Sequence, residues 1–279
     1  METSDPDDAL ALAILATHPR VELRAVAVTP GSDEQVGLVR HILGRLGVQI
    51  PVGSRSPGYP KRCVSEFHNT WLGDFSPAEP DGEGGAVLLA AVQQCPYLTI
   101  VSGAPLTNVA RMVQAGHPVL HTIIQGGFAG DSIVAQEHRL PKFAGRETCP
   151  TFNLGGDIEA AECVLAAPNI SRRTLVSKNV CHGVIWDEAM HTRLAWVTKH
   201  LGLKLAYQGM TAYLEKKGRG KAAHDLVAAM MALDPGVCDV RQVEPYHVKN
   251  DWGCRLSNGT GTFITVSVDR DRFEACLVR

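Results

Sequence analysis

Apolar residues recur at helical spacing through residues 8–17, and His18-Pro19 closes that run. Residues 21–29 (VELRAVAVT) alternate and are rich in β-branched side chains, which predicts a strand, with Pro30-Gly31-Ser32 as the loop at its C-terminal end. The helical period returns over 35–46, and 50–52 reads as a short strand. Helices at 86–94 and 106–115 then alternate with strands at 98–101 and 119–125, the second closed by Gly126-Gly127. A helix at 158–166, a strand at 174–177, a mostly helical stretch at 187–217, a helix at 222–233, a strand at 263–268 and a helix at 270–277 complete the pattern. Strand and helix alternate, which predicts an α/β fold with a mostly parallel central sheet flanked by helices.

Two stretches break the pattern. Residues 54–85 are rich in Pro, Gly, Ser and charge, with Trp71 and Phe75 isolated among them, and 128–150 lacks periodicity. Such segments inside a compact domain read as functional loops or lids, with their aromatic residues as hydrophobic cover. Ligands in open parallel sheets bind beyond the carboxyl ends of the strands. The loops holding Ser32, Gly103, Gly126-Gly127 and Asn153 therefore converge on one crevice with the start of the chain.

Composition narrows the setting. A chain of 279 residues, 45% hydrophobic and 20% charged, can bury a large core as one large α/β domain or two small ones. A formal net charge of −2 gives no electrostatic reason to expect nucleic acid or an anionic membrane as partner. Apolar runs fall short of the ~20 residues a membrane helix needs, and no basic-then-apolar leader opens the sequence. These features place the chain in the cytoplasm. The eight cysteines are scattered without a C-x-x-C pair and read as reduced thiols, with Cys149 in a loop near the expected crevice.

The chemistry concentrates at the start, where Glu2, Asp5, Asp7 and Asp8 stand within seven residues ahead of an apolar helix. An Asp capping a helix accounts for one or two of them. Four like charges also suit a hard cation such as calcium, which takes several oxygen ligands.

With these residues in view, the chain resembles the inosine-uridine-preferring nucleoside hydrolase family along nearly its whole length. The acidic turn before Ala9-Leu10-Ala11-Leu12 resembles that family's Asp-rich signature, Gly103-Ala104-Pro105-Leu106-Thr107-Asn108 its G-P-L-T-N segment, and Gln125-Gly126-Gly127 its M-G-G. Thr151-Phe152-Asn153 resembles its E-F-N, followed by Asp157-Ile158-Glu159-Ala160-Ala161 for D-P-E-A-A, and His224-Asp225 its late H-D pair. The resemblance implies a single nucleoside-hydrolase-like, Rossmann-like domain over 1–279, acting on a small ribosyl substrate as a homo-oligomer. It implies calcium held by Asp8, the Gly103 carbonyl, Asp225 and a further acid of the opening, either Glu2 or Asp5. It further implies Glu2 as base, His224 as acid to the departing base, and Asp7, Ser32, Thr151 and Asn153 at the substrate.

The departures are specific. Thr3 stands four residues before the Asp pair where the family has Asp, so the alignment passes the base role to Glu2, with Asp5 the competing choice. Thr151 replaces a Glu and Ser32 an Asn. The 130–150 segment brings Arg139, Lys142 and Arg146, which suit a phosphorylated ribosyl compound. Phe128 is a candidate for stacking on a base, and His182 is either a second site histidine or a loop residue. The sequence also opens at the acidic turn, without the strand that usually lies centrally in such a sheet. Either the true start lies upstream of Met1 or the sheet lacks a member. Two other readings remain: a nucleoside- or sugar-binding relative without turnover, and an Asp-dependent phosphatase, which would need the Thr that Asp5-Pro6-Asp7-Asp8-Ala9 lacks.

Overall fold

The computed structural model describes residues 1–196 and 199–278. Three short parallel strands, β1 (Val26–Val28), β2 (Val52–Ser54) and β3 (Gly82–Glu83), form one sheet in the order β1-β2-β3. A larger sheet contains β4 (Thr99–Ser102), β5 (Val119–Gln125), β6 (Cys149–Pro150) and β7 (Ile170–Val176). A two-stranded ribbon, β8 (Ile185–Trp186) with β9 (Lys221–Ala222), stands apart. The larger sheet is completed by β10 (Val240–Val248), β11 (Asp251–Leu256) and β12 (Thr262–Thr265), in the order β4-β5-β7-β12-β10-β11-β6. Its first four members run parallel, and β10, β11 and β6 are added antiparallel.

The expected α/β class is present, with differences at its margins. Only 26–28 of the expected strand 21–29 pairs, because β1 lies at a sheet edge and residues 21–25 have no ladder beside them. The β10–β11 hairpin was not expected. Its strands are polar, Pro245 interrupts one of them, and its turn at Lys249-Asn250 puts Lys249 at φ 56. The 54–85 stretch is partly ordered around the helix Phe67–Leu72, whose Trp71 indole N–H donates to the Leu205 carbonyl, so Trp71, expected as cover in a loop or lid, is part of the core. Within the expected helical span 187–217, residues 197–198 lie outside the described residues, and helices occupy Glu188–Leu194 and Leu201–Lys217.

The helix Pro6–Thr17 forms because Asp5 caps it, Pro6 starts it, and its residues from Pro6 to Ile14 are all buried. It packs on the helices Leu201–Lys217 and His224–Leu233. The first contact is close enough that a Cβ at Gly202 would overlap the Ala13 carbonyl oxygen. This places the start of Pro6–Thr17 and the start of His224–Leu233 together beside the carboxyl end of β4.

Candidate active site

The helix start supplies two carboxylates that differ in environment. Asp8 is 6% exposed, and its Oδ1 accepts the Glu2 backbone N–H at 3.0 Å. Asp7 is 2% exposed, and its Oδ2 accepts the Asp225 backbone N–H at 3.0 Å, while its Oδ1 is buried without a partner. Asp225 is buried, and its Oδ1 also lacks a partner. Gly103, just beyond β4, lies against both acids: a Cβ there would sit 2.5 Å from Asp225 Oδ1 and 2.8 Å from Asp8 Oδ1.

Burial dominates the electrostatics. It raises the Asp7 pKa to about 6, against the opposing pull of Lys221. Asp8 is pushed well above the carboxylate range by burial, partly offset by the Met1 ammonium. Asp225 is raised by burial and then by the neighbouring charges of Asp8 and Asp7. Three acids that resist ionisation and two oxygens without donors describe a site that takes up protons or a cation.

The other acids of the opening are differently engaged. The Glu2 carboxylate is buried and accepts both the backbone N–H and the hydroxyl of Ser4, each at 2.8 Å. Asp5 is spent on the helix cap, accepting Asp7 N–H at 3.0 Å, and on an ion pair with Lys221 Nζ at 2.9 Å. Its side chain is half exposed, so of the two competing acids the structure draws Glu2, not Asp5, in toward Asp8. Thr3 donates to the Cys63 carbonyl and accepts from Gln35, so the position where the family has Asp is part of the wall.

Opposite the carboxylates lies a cluster of nitrogen and sulfur. His224 heads its helix with Nδ1 3.8 Å from Asp7 Oδ2 and a buried Nε2 that has no partner. Burial, reinforced by Lys221, lowers its pKa to about 4. Its ring lies 4.5 Å from that of His182, which burial and then His224 lower to about 3. His182 Nδ1 stands 2.7 Å from Lys142 Nζ, so the imidazole accepts there and carries its proton on Nε2. Cys181, His182 and His224 present ligand atoms within 4.8 Å of one another, the metal-spaced group among the described residues. Burial raises the Cys181 thiol to about 12, so it stands as a neutral thiol receiving a bond from the Gln125 amide.

The remaining expected residues divide. Asn153 is buried, with its amide nitrogen fixed by the Gln125 carbonyl and side chain at 2.9 and 2.7 Å and its Oδ1 unpartnered. Thr151 is likewise buried with a free hydroxyl. Ser32, in contrast, is committed to a capping box with Gln35 at the start of Asp33–Arg45, which accounts for its presence without a ligand. Phe128 is fully buried against Phe143 at 5.3 Å and unavailable for stacking on a base. Cys149 is buried beside that pair. Of the basic residues in 130–150, Arg139 is consumed by the Asp131 and Val134 carbonyls. Lys142 alone is seen to reach the histidines. Lys221, whose cation faces Asp5 and Asp7, was not marked by any sequence pattern, since it lies on the two-residue strand β9.

The sequence profile of the inosine-uridine preferring nucleoside hydrolase family matches residues 4–275. An uncharacterized protein of Aquifex aeolicus is 25% identical, the match covering 98% of this chain and 95% of that one. The pyrimidine-specific ribonucleoside hydrolase RihA of Salmonella typhimurium is 28% identical over 57% of this chain and 53% of its own length, so that match spans about half of each protein. A plant nucleoside hydrolase shares the fold with a TM-score of 0.69 at 21% identity, covering 99% of this chain and 95% of that one.

Proposed function

Because the chain belongs to the inosine-uridine preferring nucleoside hydrolase family, an enzyme family of N-glycosyl hydrolases, we propose that its carboxylate crevice binds calcium and cleaves a ribonucleoside or a related ribosyl compound. The observation that carries this reading is Asp225 Oδ1, a buried oxygen without a donor that meets Asp8 Oδ1 at the Gly103 edge, together with a second such oxygen, Asp7 Oδ1. Asp8, Asp225, the Gly103 carbonyl and Glu2 form an all-oxygen donor set, which suits a hard cation. The Cys181, His182 and His224 group offers nitrogen and sulfur donors, which suit a softer metal than calcium, and its His182 Nδ1 is engaged by Lys142.

When bound, calcium would polarise a water and the ribose hydroxyls. Glu2, oriented by Ser4, takes the proton of the attacking water. Asp7 accepts a ribose hydroxyl at its free oxygen. The Asn153 amide oxygen and Thr151 hydroxyl receive the rest of the sugar, with Gln125 fixing the Asn153 orientation. Water oxygen bonds to the anomeric carbon as the carbon–nitrogen bond breaks and its electron pair leaves with the base. His224 is neutral at pH 7 and serves as an N–H donor to that base, with the His182 ring tilted against it at 4.5 Å. Asp5 and Ser32 act through the helix caps they form.

A binding relative without turnover is the second reading, favoured by the tethered Thr3 hydroxyl at the position of the family's Asp. No helix among the described residues is long and apolar enough to cross a membrane. A cytoplasmic homo-oligomer is the setting proposed. The test is chromatographic release of free base from purine, pyrimidine and modified ribonucleosides, in calcium and in chelator. Release that calcium restores after chelation supports hydrolysis. Calcium binding with no base released from any substrate supports the second reading.

A further inference from the structure

Lys142 comes from the 130–150 segment and Lys178 from the short helix Lys178–Cys181 after β7, yet both ammoniums lie against one ring. Their Nζ atoms stand 5.1 and 6.0 Å from the centre of Phe143. Lys142 Nζ also meets His182 Nδ1 at 2.7 Å, and Lys178 Nζ donates to the Pro150 carbonyl at 2.8 Å, one residue ahead of Thr151. The pair therefore spans the crevice from its base-side histidines to its sugar side. Among the described residues neither ammonium has a carboxylate partner. The acids of the same segment are turned elsewhere. Asp131 accepts the Gly145 N–H at 2.8 Å and lies 3.8 Å from Arg139, and Glu147 accepts the Ser132 hydroxyl at 3.3 Å. Beside Lys178, the Thr151 hydroxyl is 3% exposed and has no partner. Two like charges without a counter-ion and a buried hydroxyl with a proton to give form a donor set that faces no acid.

We propose that Lys142, Lys178 and the Thr151 hydroxyl bind a phosphomonoester on the sugar of the substrate, so that the crevice takes a phosphorylated ribosyl compound in preference to a free ribonucleoside. The inference rests on the ribosyl-hydrolase reading above and names its substrate class. A phosphomonoester is close to doubly charged at pH 7 and carries three strong acceptor oxygens, which two ammoniums and a hydroxyl answer. Each lysine keeps N–H groups beyond the one it spends on His182 or Pro150, so no contact has to break. A neutral sugar hydroxyl would leave both charges unanswered. The phosphate belongs on the sugar and not on the base, because Lys178 is tied to the residue before Thr151. It takes no part in the bond changes: the anomeric carbon–nitrogen bond is still the one that breaks, and the phosphate ester stays intact.

Two readouts test it. Titration calorimetry compares ribose 5-phosphate with ribose, which needs no turnover, and base release compares each ribonucleoside with its 5'-monophosphate. Ribose 5-phosphate is expected to bind at least ~10-fold more tightly than ribose, a gain lost when Lys142→Met and Lys178→Met are combined. The 5'-monophosphate should show the higher kcat/KM, with the difference in KM, and the double variant should erase that preference. Equal binding of the two sugars, or a gain that survives the double variant, overturns the proposal. So does a larger gain in kcat/KM from a carboxylate on the base, orotidine against uridine, than from the phosphate, which would assign the lysines to the base. If ribose 5-phosphate outbinds ribose while no base is released from any substrate, the phosphate site stands and the hydrolase reading falls. Release from free ribonucleosides with equal binding of the two sugars has the opposite meaning.

Discussion

The Asp225 backbone N–H donates to Asp7 Oδ2 at 3.0 Å, joining residues 218 apart in sequence. It brings the N-terminal ends of the helices Pro6–Thr17 and His224–Leu233 together. Each end carries partial positive charge from its free N–H groups. The two helix starts thereby gather three acids in a buried pocket, where burial raises the pKa of each. The carboxylate cluster is a product of this meeting, and neither helix carries it alone.

Burial raises the Asp7 pKa although Lys221 opposes it. Its folded pKa, about 6, lies above its ordinary 3.8, so its ionisation opposes folding. The sign follows: the stability it offers is fully present below about 4 and is lost as pH rises through about 6. Asp7→Asn keeps an oxygen for the Asp225 N–H. Without calcium at pH 7 it is expected to stabilise the fold by on the order of 2–3 kcal/mol, a gain that vanishes below about pH 4. Base release should fall at least ~10²-fold. Denaturant melts of both proteins across pH measure the first effect.

At Gly103, alanine has no room. Its Cβ would meet Asp225 Oδ1 at 2.5 Å and Asp8 Oδ1 at 2.8 Å, so one carboxylate must turn away. The expected cost is about 1–3 kcal/mol with loss of calcium binding while the far-ultraviolet circular dichroism is kept. Calorimetric titration of calcium into Gly103→Ala reads it directly.

Lys221 faces Asp5 and Asp7 from β9, and its charge lowers the Asp7 pKa. Lys221→Met removes that charge, so Asp7 should ionise at higher pH. Activity limited by Asp7 is expected to fall below about pH 6 in the natural protein and to fall at higher pH in Lys221→Met. A pH profile of kcat/KM for both proteins checks this, and an unmoved acid limb would remove Asp7 from the reaction.

His224 titrates near 4 and so stays neutral across the working range. His224→Gln, which retains an N–H donor, should lower kcat less than His224→Ala does, while leaving the acid limb in place. Single-turnover base release of the two variants separates donation from a structural loss.

Much of this architecture was legible in the chain. The run 119–125 matches β5 residue for residue because its β-branched Val119, Thr122, Ile123 and Ile124 are all buried, and the acidic turn announced itself by charge density ahead of an apolar helix. The β10–β11 hairpin escaped notice because Arg241, Glu244, Pro245 and His247 interrupt the apolar alternation, although Val243, Trp252 and Cys254 reach the core. Residues 21–25 carry strand alternation yet remain unpaired, since pairing depends on a neighbour that pattern alone cannot guarantee. Within the site, Asp8, Asp225 and Gly103 meet as the motifs imply. The capping duties of Ser32 and Asp5, and the burial of Phe128, are set by local backbone geometry and packing partners distant in sequence.

The most direct measurement is bound calcium per chain together with free-base release for the natural protein, Asp8→Ala and His224→Ala. The account predicts calcium and turnover in the first, loss of both in Asp8→Ala, and calcium without efficient turnover in His224→Ala. Calcium retained at full stoichiometry in Asp8→Ala, or base released at the natural rate without any divalent cation, would contradict it.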